Sequence, residues 1–398
     1  MVLPRLSILK IDLTMASREE ILREILSWLK IGSWHHYIVT PNPEITLQAI
    51  KNDDLKKALK SADIAIADGV GLRFASLIFG VNVPPRIAGA DLMRDIVSLA
   101  HKYGYSVGLL GGEEGIAEKA KLKLTSMYPG LKVVYADEGV KKSEFVLNGG
   151  RCVEEINKAS PDILFVAFGA PKQELWLYNN LSKLHSVKVG MAVGGTLDFI
   201  AEKFLRAPYF LRHLGLEWFF RLCQDPVHRA KRIFKAVFVF PLVVLWWKLR
   251  IWTTYRKNVV ALILNKNKKV LLVAAQRYDD IRWQFPQGGM EGWENPEETV
   301  FREMKEELGT DKFKILKHIP LYHSYVWPSD SQIIRGYKGQ VQDLFIMEFL
   351  GGNNDFDLEK DGELKDFCWV DADKVLEMVE PCRRDGIDIA LKILSAFA

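Results

Sequence analysis

The chain has 398 residues, 48% hydrophobic and 26% charged, with a formal net charge of +4. That length predicts two or three domains, and the balance is that of an ordinary soluble globular chain with ample core. Cys152, Cys223, Cys368 and Cys382 are scattered without Cys-x-x-Cys spacing, which excludes a cysteine metal site and points to free thiols in a reducing cytoplasm.

Lys10 and Asp12 interrupt the first apolar residues, so no signal peptide is expected. Further on, apolar β-branched runs at 36–40, 63–67, 106–110, 132–135, 162–168 and 187–193 alternate with amphipathic stretches such as 90–103, 116–128 and 144–159. Continuously apolar runs suit strands buried on both faces, so the alternation predicts a parallel α/β sheet with helices on both sides. Ligands on such sheets bind beyond the carboxyl ends of the strands. The polar and glycine-rich segments fall there: Thr40-Pro41-Asn42-Pro43, Asp68-Gly69-Val70-Gly71, Gly111-Gly112, Gly169-Ala170-Pro171-Lys172-Gln173-Glu174 and Gly194-Gly195-Thr196-Leu197-Asp198. Glycine lets a backbone approach a phosphate, and helix N-termini attract anions. One such loop could simply end a strand; together they predict a nucleotide-type ligand.

Residues 226–278 contain no Asp or Glu. Arg229, Lys231, Arg232, Lys235, Lys248, Arg250, Arg256 and Lys257 surround the apolar run 236–247, which holds Pro241 and ends in Trp246-Trp247, with Trp252 beyond. A spanning helix needs about 20 apolar residues, more than this run supplies. Basic flanks with tryptophans predict a helix or re-entrant segment lying in an anionic membrane surface. A buried inter-domain helix is the other reading.

Residues 1–255 carry 34 Lys and Arg against 25 Asp and Glu, whereas residues 256–398 carry 20 against 25. The acidic part speaks against tight binding of long RNA. Within it, Asn295 can cap a helix with Pro296 at its first position and Glu298 at its third, and Gly309 supplies the stop. In that helix Glu303 shares a face with Glu306 and Glu307. Stacked carboxylates repel unless a cation neutralises them, and oxygen-only ligands suit Mg²⁺ or Mn²⁺ held together with substrate phosphates.

Several segments, in order across nearly all of residues 1–235, resemble the WecG/TagA/CpsF glycosyltransferase family. They are T-P-N-P-E at 40–44, A-D-G-V-G at 67–71, R-I-A-G-A-D at 86–91, P-D-I-L-F-V-A-F-G-A-P-K-Q-E at 161–174, G-G-T-L-D-F at 194–199, R-A-P at 206–208 and G-L-E-W-F-F-R-L at 215–222. The resemblance implies a Rossmann-like α/β domain. Its implied reaction is inverting transfer of an N-acetylmannosamine-type sugar from a UDP-sugar donor to an undecaprenyl-diphosphate-linked sugar. It makes Asp68 the general base, although an aspartate there could also merely cap the next helix. Thr40 and Asn42 line the same pocket. Arg86, Arg206 and Arg221 are candidates for the diphosphate groups, because a guanidinium fork matches phosphate oxygens; for Arg221 a surface ion pair stays open. Asp91, Gly111, Gly112, Gln173, Gly194, Gly195 and Asp198 complete the expected substrate contacts. Residues 1–255 contain no Asp-x-Asp, so no metal cofactor is expected in this domain.

The stretch W-Q-F-P-Q-G-G-M-E-G-W-E-N-P-E-E-T-V-F-R-E-M-K-E-E-L-G-T at 283–310 fits the Nudix box, G-x5-E-x7-R-E-U-x-E-E-x-G-U, through Gly288, Glu294, Arg302, Glu303, Met304, Glu306, Glu307 and Gly309. Thr310 departs from the pattern at a packing position. With G-Q-V-Q at 339–342 and Trp369-Val370, the region from Lys257 onward resembles the RNA pyrophosphohydrolase and diadenosine-polyphosphate hydrolase branch. The resemblance implies an α/β/α sandwich in which Glu303, Glu306 and Glu307 bind Mg²⁺ or Mn²⁺ and Glu363 assists from a late loop. Gln287 and Gly288 are expected on the substrate side, and Arg302 is expected to orient a glutamate there. The implied chemistry is water attack on a phosphoanhydride, with metals activating the water. The substrate stays open between a dinucleoside polyphosphate, an RNA 5′ end and a nucleotide sugar.

The expected layout is a transferase domain at 1–232, a membrane-associating junction at 233–256 and a Nudix domain at 257–398. Together they predict a bifunctional enzyme, peripheral on the cytoplasmic face of a bacterial inner membrane, with no stable protein partner. The competing reading is a nucleotide or RNA 5′-end pyrophosphohydrolase whose N-terminal domain only binds or targets.

Overall fold

The computed structural model describes residues 3–31, 35–139, 150–208, 210–211, 215–275, 282–292, 294–358 and 364–397, with the backbone alone at Arg221, His228 and Ala275. The chain forms two compact units, Met1–Lys248 and Leu249–Ala398.

The first unit opens with an antiparallel hairpin, β1 (Arg5–Ile8) and β2 (Ile11–Thr14). There follow α1 (Arg18–Ile31), β3 (His36–Val39), α2 (Pro43–Ala49), α3 (Asp53–Ser61), β4 (Ile64–Ala65), α4 (Gly71–Phe79), α5 (Gly89–Tyr103) and β5 (Ser106–Gly111). Next come α6 (Ile116–Met127), β6 (Lys132–Asp137), α7 (Gly150–Ala159), β7 (Ile163–Ala167), α8 (Lys172–Asn180), β8 (Val189–Ala192) and α9 (Thr196–Ile200). The helix expected at 144–159 is seen from Gly150; residues 140–149 lie outside the described residues.

Strands β3 to β8 form one parallel sheet in the order β4-β3-β8-β7-β5-β6. Side chains alternate across a strand, and here both faces are covered. Ile163, Phe165 and Ala167 of β7 share a core with Ile21 and Ile25 of α1, Ile96 and Val97 of α5, and Leu124 of α6. On the other face Gly190 of β8 meets α8, where an added Cβ would stand 2.8 Å from Leu177 Cδ2. Burial on both sides explains the continuous apolar runs of the sequence.

After α10 (Glu217–Gln224) and α11 (Pro226–Phe234), a π-helical turn at Lys235–Val239 leads into α12 (Phe240–Thr253). The Phe240 N–H donates to the Lys235 carbonyl, five residues back. Pro241 has no N–H and its ring crowds the preceding turn, so the widened pitch accommodates it. Phe240, Val244 and Trp247 are buried, whereas Phe238, Leu242, Leu245 and Trp246 are exposed. Among the described residues no helix is long and apolar enough to cross a membrane.

The second unit holds β9 (Tyr255–Leu264), β10 (Val270–Ala275), β11 (Trp283–Gln284), β12 (Gln287–Gly289), α13 (Pro296–Glu307), β13 (Phe313–Val326), α14 (Ser329–Arg335), β14 (Gly339–Phe349), β15 (Leu364–Val370), α15 (Val375–Met378) and α16 (Arg384–Phe397). The mixed sheet runs β11-β10-β9-β14-β13, with β12 on β9 and β15 on β10; the β9–β14 pair is parallel. Val259, Ala261 and Ile263 pack on Val300, Met304 and Leu308 of the α13 region. Their neighbours Val260 and Leu262 pack on Val375, Ile387 and Ala390. The unit is therefore an α/β/α sandwich around a sheet apolar on both faces.

Candidate active sites

All strands of the first sheet point the same way, so their carboxyl ends lie along one edge. The strand order sets Asp68 (after β4), Thr40 and Asn42 (after β3), Gly194 and Gly195 (after β8), Gln173 (after β7) and Gly111 and Gly112 (at β5) side by side. Contacts tie them together. The Asp68 N–H donates to the Pro41 carbonyl at 3.0 Å. Asn42 caps α2, its Oδ1 accepting from the Ile45 N–H at 3.0 Å. Thr40 lies against Gly89, where an added Cβ would stand 3.0 Å from Thr40 Cγ2.

Two residues along α5 from Gly89 the chemistry is ionic. Arg206 Nη1 donates to Asp91 Oδ1 at 2.7 Å, and the arginine side chain is only 13% exposed. Its Nε and Nη2 have no hydrogen-bond partner among the described residues. Buried donors are costly unless something accepts from them, so this guanidinium fits a phosphate. Arg86 is half-buried in the segment before α5. The side chain of Arg221, on α10, is not described.

At the other end of the edge, Gly111 is required by packing as well as by its turn: φ is 104°, and an added Cβ would stand 2.8 Å from the Ala167 carbonyl carbon. Gly112, also left-handed, donates to the Ala167 carbonyl at 3.2 Å. Gln173 Oε1 accepts from the Gly194 N–H at 2.9 Å, and its Nε2 donates to Glu174 Oε1 at 2.8 Å. Glu174 is fully buried, and burial pushes its carboxyl up to about 7. Asp198 on α9 is raised too, by burial, with Lys203 opposing. Sequence reasoning chose Gln173 and passed over Glu174. The available signal was its spacing with Leu177, a buried residue one turn on.

In the second unit the helix start is built as its residues predict. Asn295 Oδ1 accepts from the Glu298 N–H at 2.8 Å, and Glu298 Oε2 accepts from the Asn295 N–H at 3.2 Å. Arg302 then organises the acidic face. Its Nε and Nη2 grip Glu294 at 2.7 and 3.0 Å. Its Nη1 donates to Glu303 at 2.9 Å and to Glu306 at 2.8 Å. The guanidinium holds the Glu294 carboxyl well below the usual range, at about 2, and its own pKa rises in return. Arg302 thus orients three glutamates where one was expected. Gly288 leaves room for Glu303, and Gln287 Oε1 accepts from Gln342 Nε2 at 3.1 Å. Glu307 is 8% exposed. Thr310, at the slot where the box wants an apolar residue, is buried, and its Oγ1 accepts from the Lys312 N–H at 3.3 Å. Glu363 lies outside the described residues.

Among the described residues no group of three or more His, Cys, Asp or Glu side chains is placed to hold a metal ion. Arg302 Nη1 bonds both the Glu303 and the Glu306 carboxylate. The donor chemistry itself fits a hard divalent cation: carboxylate oxygens on one helix face, one of them on the half-exposed Glu306.

The Glycosyl transferase WecG/TagA/CpsF family profile matches residues 6–254, and the NUDIX domain profile matches residues 254–388. The protein is thus a glycosyltransferase joined to a Nudix hydrolase domain. It belongs to the WecG/TagA/CpsF family. An N-acetylglucosaminyldiphosphoundecaprenol N-acetyl-beta-D-mannosaminyltransferase of Bacillus subtilis (strain 168) is 33% identical over 198 residues, 50% of this chain and 73% of that protein. The enzyme of the same name from Staphylococcus aureus (strain MRSA252) is 31% identical over 222 residues, 56% of this chain and 85% of its own. Among solved structures, a C. elegans Ap4A hydrolase in a binary complex is 17% identical, with a TM-score of 0.28, covering 35% of this chain and 98% of that one. At that TM-score the likeness decides nothing, and the NUDIX assignment rests on the profile match and the box residues.

Proposed function

We propose that the first unit transfers an N-acetylmannosamine-type sugar, with inversion, from a UDP-sugar to an undecaprenyl-diphosphate-linked sugar, and that the second hydrolyses a phosphoanhydride. The observation that carries the transferase reading is the shared sheet edge. It sets Asp68, Thr40 and Asn42 after β4 and β3, the Gly194 loop next to them after β8, and the Gly111 loop two strands further on.

In this reading Asp68 takes the proton of the acceptor hydroxyl while its oxygen attacks the anomeric carbon. The bond from that carbon to the nucleoside diphosphate breaks on the opposite face, so the configuration inverts. The unpartnered N–H groups of Arg206 meet diphosphate oxygens, with Asp91 holding the guanidinium in place. Arg86 and Arg221 assist, and Gly111, Gly112, Gly194, Gly195 and Asp198 bound the donor. Gln173 acts through Gly194, since it is 2% exposed.

In the Nudix domain Glu303, Glu306 and Glu307, aided by Glu363, would hold Mg²⁺ or Mn²⁺, which when bound supplies charge neutralisation and an acidified water. Arg302 orients the three glutamates it grips and keeps Glu294 ionised. Gln287 and Gly288 lie on the substrate side.

The exposed Phe238, Leu242, Leu245 and Trp246 are read as docking to an anionic membrane on the cytoplasmic face, where a polyprenyl acceptor resides. Arg232 bonds Glu44 at 2.8 Å and Arg229 pairs with Asp225. The cationic flank is therefore assigned to Lys231 and Lys235, both exposed. Assay of the purified chain with UDP-sugars and a short-chain lipid-diphosphate-sugar acceptor tests the transferase. Dinucleoside polyphosphate hydrolysis, followed in parallel, tests the second unit.

A further inference from the structure

Gln173 and Glu174 stand in the first turn of α8, and Gly194 begins the loop after the adjacent strand β8. A side-chain amide has a donor end and an acceptor end, exchanged by a half-turn about its last bond. The Gly194 N–H demands the acceptor end, and Gln173 Oε1 receives it at 2.9 Å. An oxygen of Glu174 demands the donor end, and Gln173 Nε2 supplies it at 2.8 Å. One orientation meets both demands, and the reverse meets neither.

Glu174 is fully buried, and its Oε2 has no hydrogen-bond partner among the described residues. A leucine at this place would fill the helix face without desolvating a carboxyl. Packing alone therefore does not account for the residue, whereas the amide contact does. Gly194 has a φ of 54° and is followed by a second glycine. Such a loop has wide backbone freedom, and a fixed acceptor at its first N–H restrains it.

We infer that Glu174 is a positioning residue of the transfer site: it locks the Gln173 amide in the orientation that holds Gly194, and so shapes the loop that bounds the nucleotide-sugar donor. The inference rests on the transferase reading for its kinetic consequence, but the lock itself does not. Losing it should weaken donor binding more than the chemical step.

The test uses the full chain with selectively ¹⁵N-labelled glutamine, the Gln173 side-chain signals being assigned by their loss in Gln173→Leu. In the wild type those NH₂ protons should exchange slowly with solvent. In Glu174→Leu they should exchange at least about tenfold faster, and the KM for UDP-sugar should rise about tenfold, the scale of one lost hydrogen bond, with kcat within about threefold. Glu174→Gln retains an oxygen facing Gln173 and should restore both. Unchanged exchange and KM in Glu174→Leu would overturn the inference. So would a Glu174→Gln protein that melts like the wild type yet behaves like the leucine variant. Should Glu174→Leu not fold, Glu174→Gln decides by the same two readouts. If the wild type transfers no sugar, the donor reading fails, while the exchange rates still decide whether the lock exists.

Discussion

The carboxyl carbon of Glu303 lies 1.7 Å from the point where a Cβ on residue 288 would stand. Gly288 is therefore part of the acidic site, because any side chain there displaces a glutamate that Arg302 holds in place. Gly288→Ala should lower hydrolysis by at least ~10²-fold, the usual cost of moving a catalytic group by an ångström. Steady-state hydrolysis beside a thermal melt checks this, and a fully active alanine variant would contradict it.

Arg302 makes a second prediction through Glu294. The Glu294 carboxyl titrates at about 2 in the folded chain, chiefly through its hydrogen bond with Arg302. A depressed carboxylate contributes stability that is present above its unfolded pKa and lost as pH falls through the folded one. Wild-type stability should therefore decline on acidification from about 4.5 towards about 2. In Arg302→Ala that decline should be shallower, as read from denaturant midpoints across this window.

Glu174 has the opposite sign. Its folded pKa of about 7 exceeds the ordinary 4.5, mainly through burial. The associated stability is complete below the unfolded value and is lost as pH rises through 7, an effect of at most ~3 kcal/mol. Glu174→Gln should flatten the fall between pH 5 and pH 8. Chemical denaturation of the two proteins at those pH values measures it.

The apolar surface of α12 predicts salt-sensitive docking. Replacing Leu242 and Trp246 with serine should release the chain from anionic vesicles and depress transfer to a long polyprenyl acceptor more than to a soluble short-chain one. Wild-type binding should weaken at high salt. A wild-type chain that ignores anionic vesicles at low salt would contradict the membrane reading.

What was legible in the sequence was local or doubly buried. The parallel sheet could be read because its strands are apolar on both faces, and the Nudix helix because Asn295, Pro296, Glu298 and Gly309 act within their own turns. The β1–β2 hairpin was not predicted. Its turn residues Leu9 and Lys10 take φ values of 52° and 67°, a conformation usually signalled by Asn or Gly. Leu9 is 1% exposed, so tertiary burial holds the turn in place of local preference. The run around Pro241 was hard to read because it is apolar on every side, which erases helical periodicity. The hold of Gln173 on Gly194 depends on β7 and β8 becoming neighbours, which no spacing within one segment reveals, whereas Arg302 meets Glu306 one turn on along its own helix and reaches back eight residues to Glu294.

The central claim is that one chain carries two independent chemistries, and a crossed assay of Asp68→Asn and Glu306→Gln tests it most directly. Asp68→Asn should lose sugar transfer by ~10²–10⁴-fold, the contribution of one positioned base, and keep phosphoanhydride hydrolysis. Glu306→Gln should lose hydrolysis and keep transfer. EDTA should reproduce the second pattern and spare the first. If the wild type hydrolyses but transfers nothing from any UDP-sugar, or if Asp68→Asn transfers within threefold of wild type, the account is contradicted at its centre.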